Sequence, residues 1–321
     1  MTFLTSFSIN CPFRPPNSVL NALIACTNLR SLSINDTPLY TFVLPSVPSA
    51  FQLERLSLTP VAEALRVGEG PHDKKYAEAA YYIREFRRMY KNNMLAPIAA
   101  STLLFQFGKS SSLCHVEISG DLCTLEGLAA HEWPKLHTLV LTGHAPKPQG
   151  TSELVDVLAQ MCNLRELRLL FSRTKGDLGF HILPPGNGPS MKNNSPMLLS
   201  SLKYLALSNA CSFEGVFHYT TSLERLAICA IIDHPRIPIA LNRGVIDLIL
   251  KDIAIGCSSS HLVRLRIMIE DKVNPALCHA IAVHCPKLEM LEIELCGYHD
   301  GKSIFAWVSV DVTWTNIYND V

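Results

Sequence analysis

The densest group of metal-binding and nucleophilic side chains lies in the stretch CHAIAVHC, which holds Cys278, His279, His284 and Cys285. Thiolates and imidazoles are zinc ligands, and tetrahedral zinc needs its donors converging at about 2.0–2.3 Å from one point. The surrounding pattern is helical. On a helix Cys278 and Cys285 share a face, whereas His279 and His284 diverge from it. The residues therefore predict no zinc site, and the thiols read as small apolar side chains packed beneath neighbouring elements.

Other cysteines follow a positional rule. Cys26, Cys162 and Cys285 each stand two or three residues before a leucine, Leu29, Leu164 and Leu288. This places each where a helix turns back toward the next strand. A nucleophilic cysteine needs a neighbour that lowers its pKa, and the sequence offers none. No G-x-S-x-G, P-loop, H-E-x-x-H or G-x-G-x-x-G occurs. Gly186-Asn187-Gly188 sits in a Pro-rich loop without the strand–helix setting that phosphate binding needs. No catalytic residue, cofactor or metal is expected.

Composition narrows the remaining classes. Lys+Arg and Asp+Glu are 28 each, so the formal net charge is zero. Nucleic-acid affinity rests on many cation–phosphate contacts, and no nucleic-acid partner is expected. No apolar run reaches the roughly 18 residues of a membrane span, and the start lacks the basic and apolar regions of a signal peptide. The 11 cysteines contain no CxxC pair. They are expected as reduced thiols in a cytoplasmic or nuclear protein. In that setting the glycosylation patterns at Asn35 and Asn193 carry no meaning.

The elements that position any surface come from one recurring pattern, L-x-x-L-x-L with Val, Ile or Phe allowed. It appears at Leu29-Leu32-Ile34, Leu53-Leu56-Leu58, Leu113-Val116-Ile118, Leu136-Leu139-Leu141 and Leu164-Leu167-Leu169. It continues at Leu202-Leu205-Leu207, Leu223-Leu226-Ile228, Leu262-Leu265-Ile267 and Leu288-Leu291-Ile293. Several spacings fall in the roughly 20–29-residue range of leucine-rich repeats. Between the triplets, NSVLNALIACTN, TSELVDVLAQMCN, NRGVIDLILKDIAIGC and NPALCHAIAVHCPK place apolar residues at helical spacing. Ser152, Asn242 and Asn274 are predicted N-caps, and Pro275 suits the first helical position.

Each unit is then a strand, a turn, a helix and a return loop, and only stacked units bury their apolar sides. The predicted fold is α/β: a curved leucine-rich-repeat solenoid of about ten irregular repeats, with parallel strands concave and helices convex. It spans residues 1–303, with insertions near 60–110 and 173–199, a terminal strand at 304–314 and a tail at 315–321. Helices are expected at Tyr76–Tyr90 and Leu95–Phe107, and 173–199 reads as a loop. Leu4-x-x-Phe7-x-Ile9 is the same pattern, so the chain is expected to begin on a repeat strand, left open or continued upstream.

Strand alternation sends the third, fifth and seventh positions of L-x-x-L-x-L-x to the concave side. Early repeats place mostly small polar residues there: Ser6, Ser8, Asn10, Ser31, Ser33, Asn35, Ser57 and Thr59, with Arg55 among them. Later repeats place Glu166, Arg168, Tyr204, Arg225, Arg264, Arg266, Glu292 and Glu294 there, with Met268 and Met290. Arg, Tyr and Met are favoured at protein interfaces. Two readings of this face stand open: a partner-binding surface, or a solvated ladder with Arg266–Glu292 cross-strand pairing.

CTNLRSLSIN, WPKLHTLVLTG, MCNLRELRLL, SSLKYLALSNAC, TSLERLAIC and HCPKLEMLEIELC resemble the repeat region of fungal F-box/LRR proteins, over roughly residues 4–296. That resemblance implies a substrate receptor of a cullin-type ubiquitin ligase, whose F-box docks on a Skp-type adaptor while the solenoid holds a target protein. The F-box itself, with its LPxE-type opening, is absent from this sequence. The resemblance thus implies a non-catalytic part that binds a target protein on the concave face, with any Skp contact made elsewhere. A free-standing LRR adaptor is the alternative. A GTPase-regulating LRR protein is a more distant one, since no single arginine stands out as its catalytic residue.

Overall fold

Consecutive backbone amides at the heads of most parallel strands donate to one shared carbonyl just before the neighbouring strand, and this bond pair recurs along the chain. In the computed structural model, which describes residues 3–10, 17–35, 52–59, 112–146, 153–171, 180–182, 199–208, 210–212, 216–229, 243–256, 261–269, 274–299 and 302–310, Arg30 N and Ser31 N both donate to Thr5 O, at 2.8 and 3.1 Å. Lys203 N and Tyr204 N do the same to Arg165 O, at 2.8 and 3.0 Å. Such a repeat can form only where the same positions of successive L-x-x-L-x-L units stand side by side. The fold is α/β and is built on parallel strands. Chain contacts divide it into two compact units, Met1–Asn163 and Leu164–Val321.

In the first unit, β1 (Ser6–Asn10), β2 (Ser31–Asn35), β3 (Arg55–Thr59), β4 (His115–Ser119) and β5 (Thr138–Gly143) pair in parallel in chain order. Helices α1 (Asn17–Ile24), α2 (Leu125–Ala129) and α3 (Leu154–Ala159) belong to the same unit. Leu32, Leu56, Val116 and Leu139 share one register row and are buried. Burying each such side chain stabilises the fold by about 1.5–3 kcal/mol. Phe7 and Ile9, at the sheet's first strand, are only half-buried.

In the second unit the parallel order is β6 (Glu166–Phe171), β8 (Tyr204–Ser208), β10 (Arg225–Cys229), β11 (Arg264–Ile269) and β12 (Met290–His299). β13 (Lys302–Val310) adds antiparallel to β12. The expected strand at 304–314 thus corresponds to one that starts at Lys302, and residues 311–314 lie outside the described set. β7 (Phe180–His181) and β9 (Ala210–Ser212) form a separate two-stranded parallel pair. The region read as loop, 173–199, therefore contains a short strand. Its remaining described residues are Ile182, which is buried, and Leu199, which takes a positive φ of 57°.

Local signals explain the helix ends. Asn274 Oδ1 accepts from Leu277 N at 2.8 Å, and Pro275 opens α5 (Pro275–His284), as predicted. The predicted cap Ser152 is corrected to Glu153. The helix starts at Leu154, and the Asp156 carboxylate accepts from Glu153 N at 3.2 Å. Asn242 lies outside the described residues, just before α4 (Arg243–Gly256). The helices expected at Tyr76–Tyr90 and Leu95–Phe107 also lie outside them. Among the described residues, no helix is long and apolar enough to cross a membrane.

At five of the triplets the residue three before the first leucine closes the turn into the strand. Its carbonyl accepts from that leucine's amide: Cys26 from Leu29 (2.9 Å), Trp133 from Leu136 (3.3 Å), Leu199 from Leu202 (3.0 Å), Thr220 from Leu223 (3.2 Å) and Cys285 from Leu288 (3.1 Å). All five residues are buried. Cys26 and Cys285 occupy this slot, but Cys162 does not. Met161 takes the buried place before Leu164, and Cys162 is exposed. All three cysteines lie in a turn between a helix and the next strand, as expected, but only Cys26 and Cys285 are buried there.

Candidate functional site

The eight residues singled out by strand alternation all fall on strands of the second unit. β6, β8, β10, β11 and β12 align Glu166, Tyr204, Arg225, Arg264 and Met290 in one register row. The next row is Arg168, Ala206, Ala227, Arg266 and Glu292. Glu294 stands in the row beyond, paired through the backbone with Met268. Parallel strands about 4.8 Å apart turn residues from separate repeats into one continuous face.

Tyr204 is the centre of this face. The Arg168 guanidinium carbon lies 5.1 Å from its ring centroid, and that of Arg225 lies 4.7 Å away. Both distances are within the roughly 6 Å range in which a cation is attracted to the aromatic quadrupole. Arg168 also bonds Glu166 in its own strand, Nε to Oε1 at 2.6 Å. Arg266 Nε and Glu292 Oε2, on adjacent strands, approach to 3.7 Å. The cross-strand pair written into the second sequence reading is therefore present.

The floor between these charges is small and flat. Ala206 and Ala227 are buried side by side at the centre of the second row. Two residues at position seven depart from the simple alternation. Ser208 and Met268 are buried, and the Ser208 hydroxyl donates to Phe171 O at 2.8 Å. At that position the hydroxyl satisfies a carbonyl near the end of the neighbouring strand, so it contributes to the core.

The first unit's strand face is different in kind. Thr59 Oγ1 donates to Asn35 Oδ1 at 2.6 Å, and Asn35 Nδ2 donates to Ser33 Oγ at 3.0 Å. Ser57 Oγ donates to Glu117 Oε2 at 3.4 Å. These short side chains hydrogen-bond one another across and along strands.

In CHAIAVHC, Cys285 is buried and caps α5, with its amide bonded to Ile281 O at 2.8 Å; His279 is exposed. Among the described residues no three His, Cys, Asp or Glu side chains gather into a metal site. Sequence reasoning missed α2, which is five residues long and is capped by Thr124 Oγ1 accepting from Gly127 N at 3.0 Å. No protein-family model matches this chain, and no curated protein matches it either.

Proposed function

We propose that this chain is a non-catalytic leucine-rich-repeat solenoid that binds a target protein on the strand face of its second unit. The observation that carries the reading is the stacking of Arg168 and Arg225 on Tyr204. Arg and Tyr are the residue types that most often concentrate binding energy. Here they are held on a regular β scaffold, with Tyr204 and Arg168 only half-buried. Holding a long arginine side chain against a ring in advance lowers the ordering entropy lost when a partner binds. The shared-carbonyl bonds and the aligned leucine rows support the repeat reading. On the F-box/LRR resemblance, the larger architecture is a ubiquitin-ligase substrate receptor working in the cytoplasm or nucleus.

The test is a random-peptide display selection on the purified chain, followed by affinity measurement. Selected peptides should lose binding to Tyr204→Ala and keep it with Lys251→Glu on the exposed face of α4. Peptides that ignore Tyr204→Ala and respond to Lys251→Glu would reverse the assignment. Emergence of hydrolase activity in the purified chain would contradict the non-catalytic reading.

A further inference from the structure

Arg225 and Arg264 are register partners on adjacent strands β10 and β11. Both are exposed. Like charges set directly opposite on neighbouring strands are destabilising. The other arginines of this face each have a carboxylate: Glu166 for Arg168 and Glu292 for Arg266. Among the described residues neither Arg225 nor Arg264 has an ion-pair partner. Arg225 instead leans over Tyr204, on the strand away from Arg264. In the same row Met290 follows Arg264, and the floor of Ala206 and Ala227 lies one row along the strands.

This arrangement lacks one feature, a carboxylate for either of two arginines that stand opposite each other on adjacent strands. Resting on the reading of this face as a protein-binding surface, we infer that its partner is an acidic peptide segment. One carboxylate of the segment is held jointly by Arg225 and Arg264. A carboxylate accepts from guanidinium donors in a planar, paired geometry, and such charge-assisted bonds are about twice as strong as neutral ones. The flanking carboxylates of Glu166 and Glu292 favour this occupant over nucleic acid. A peptide can place one carboxylate and avoid both glutamates, whereas a phosphate backbone repeats its charge along its whole length.

The probes are fluorescein-labelled peptides of alternating Glu and Ala, their Gln/Ala counterparts, and a single-stranded DNA oligonucleotide as competitor. Fluorescence anisotropy with the full chain should show the Glu/Ala peptide binding and the Gln/Ala peptide not. Arg225→Gln and Arg264→Gln should each weaken binding about tenfold or more, the scale of a charged hydrogen bond. Arg165→Gln, an exposed arginine outside the two rows, should leave binding unchanged. Equal loss in all three variants, full competition by the oligonucleotide, or no binding of the Glu/Ala peptide would each overturn the inference. These failures are distinguishable from failure of the broader reading. If display-selected peptides still depend on Tyr204 while Arg225→Gln and Arg264→Gln are silent, the face binds protein but its partner is not acidic.

Discussion

The guanidinium of Arg225 lies over the ring of Tyr204, 4.7 Å from its centroid, across two adjacent parallel strands. A stack of this kind at a part-exposed site is worth about 0.5–1 kcal/mol. A double-mutant cycle of Tyr204→Leu and Arg225→Gln, read by urea unfolding, should return a coupling of about that size. Tyr204→Phe should keep most of it, because the ring face makes the contact. Strict additivity of the two changes would show that the stack contributes nothing in solution.

The shared rows of leucine set the second expectation. Leu167 and Leu205 are fully buried register partners, and Leu291 is 1% exposed on β12. Each change to Ala should cost about 2–5 kcal/mol by chemical denaturation. Arg165→Ala should stay within about 0.5 kcal/mol, as surface substitutions do. Leucine variants as mild as the arginine one would mean the alternation has been assigned to the wrong face.

How far the sequence reads through to this structure depends on the range of the interaction. Asn274 and Pro275 were legible, because a cap is decided within one helical turn. The inward leucines were legible because strand alternation has a period of two. Cys162 was legible as a helix-to-strand turn residue, but its exposure was not, because a single residue separates the buried Met161 from the exposed Cys162 within that turn. Ser208 was expected outward, and its burial depends on Phe171 O at the end of another strand. The Tyr204 stack needs the register of β6 against β8, two strands with β7 between them in sequence. Periodicity put its members on one face, but only the paired strands bring them into contact.

Gly120 gives a steric test of the first unit. A Cβ built there would lie 1.9 Å from His144 O, far inside van der Waals contact. The obstacle is backbone, which cannot rotate away. Gly120→Ala should therefore destabilise the fold by about 1–3 kcal/mol, as overpacking does. Thermal unfolding indistinguishable from the parent would show that the ends of β4 and β5 do not approach so closely.

Thiol reactivity should follow the turn slot. Native-state labelling with iodoacetamide, mapped by mass spectrometry of tryptic peptides, should modify Cys162 well before Cys26, Cys123 or Cys285. The first is exposed and the other three are buried. Moving the thiol with the paired change Met161→Cys and Cys162→Asn should abolish fast labelling at this turn. Rapid modification of Cys26 or Cys285 in folded protein would contradict the packing of the helix-to-strand turns.

The claim that the strand face of the second unit is the binding surface is tested most directly by hydroxyl-radical footprinting. The full chain is oxidised with and without a display-selected peptide, and side-chain oxidation is measured residue by residue. Tyr204 and Met290 sit in one row of the face and are part-exposed. Leu248, Ile255 and Val283 project from the helices and are 62%, 68% and 55% exposed. Binding to the strand face lowers oxidation at Tyr204 and Met290 and leaves the three helical residues unchanged. Protection of Leu248, Ile255 and Val283 with Tyr204 and Met290 unaffected would contradict it.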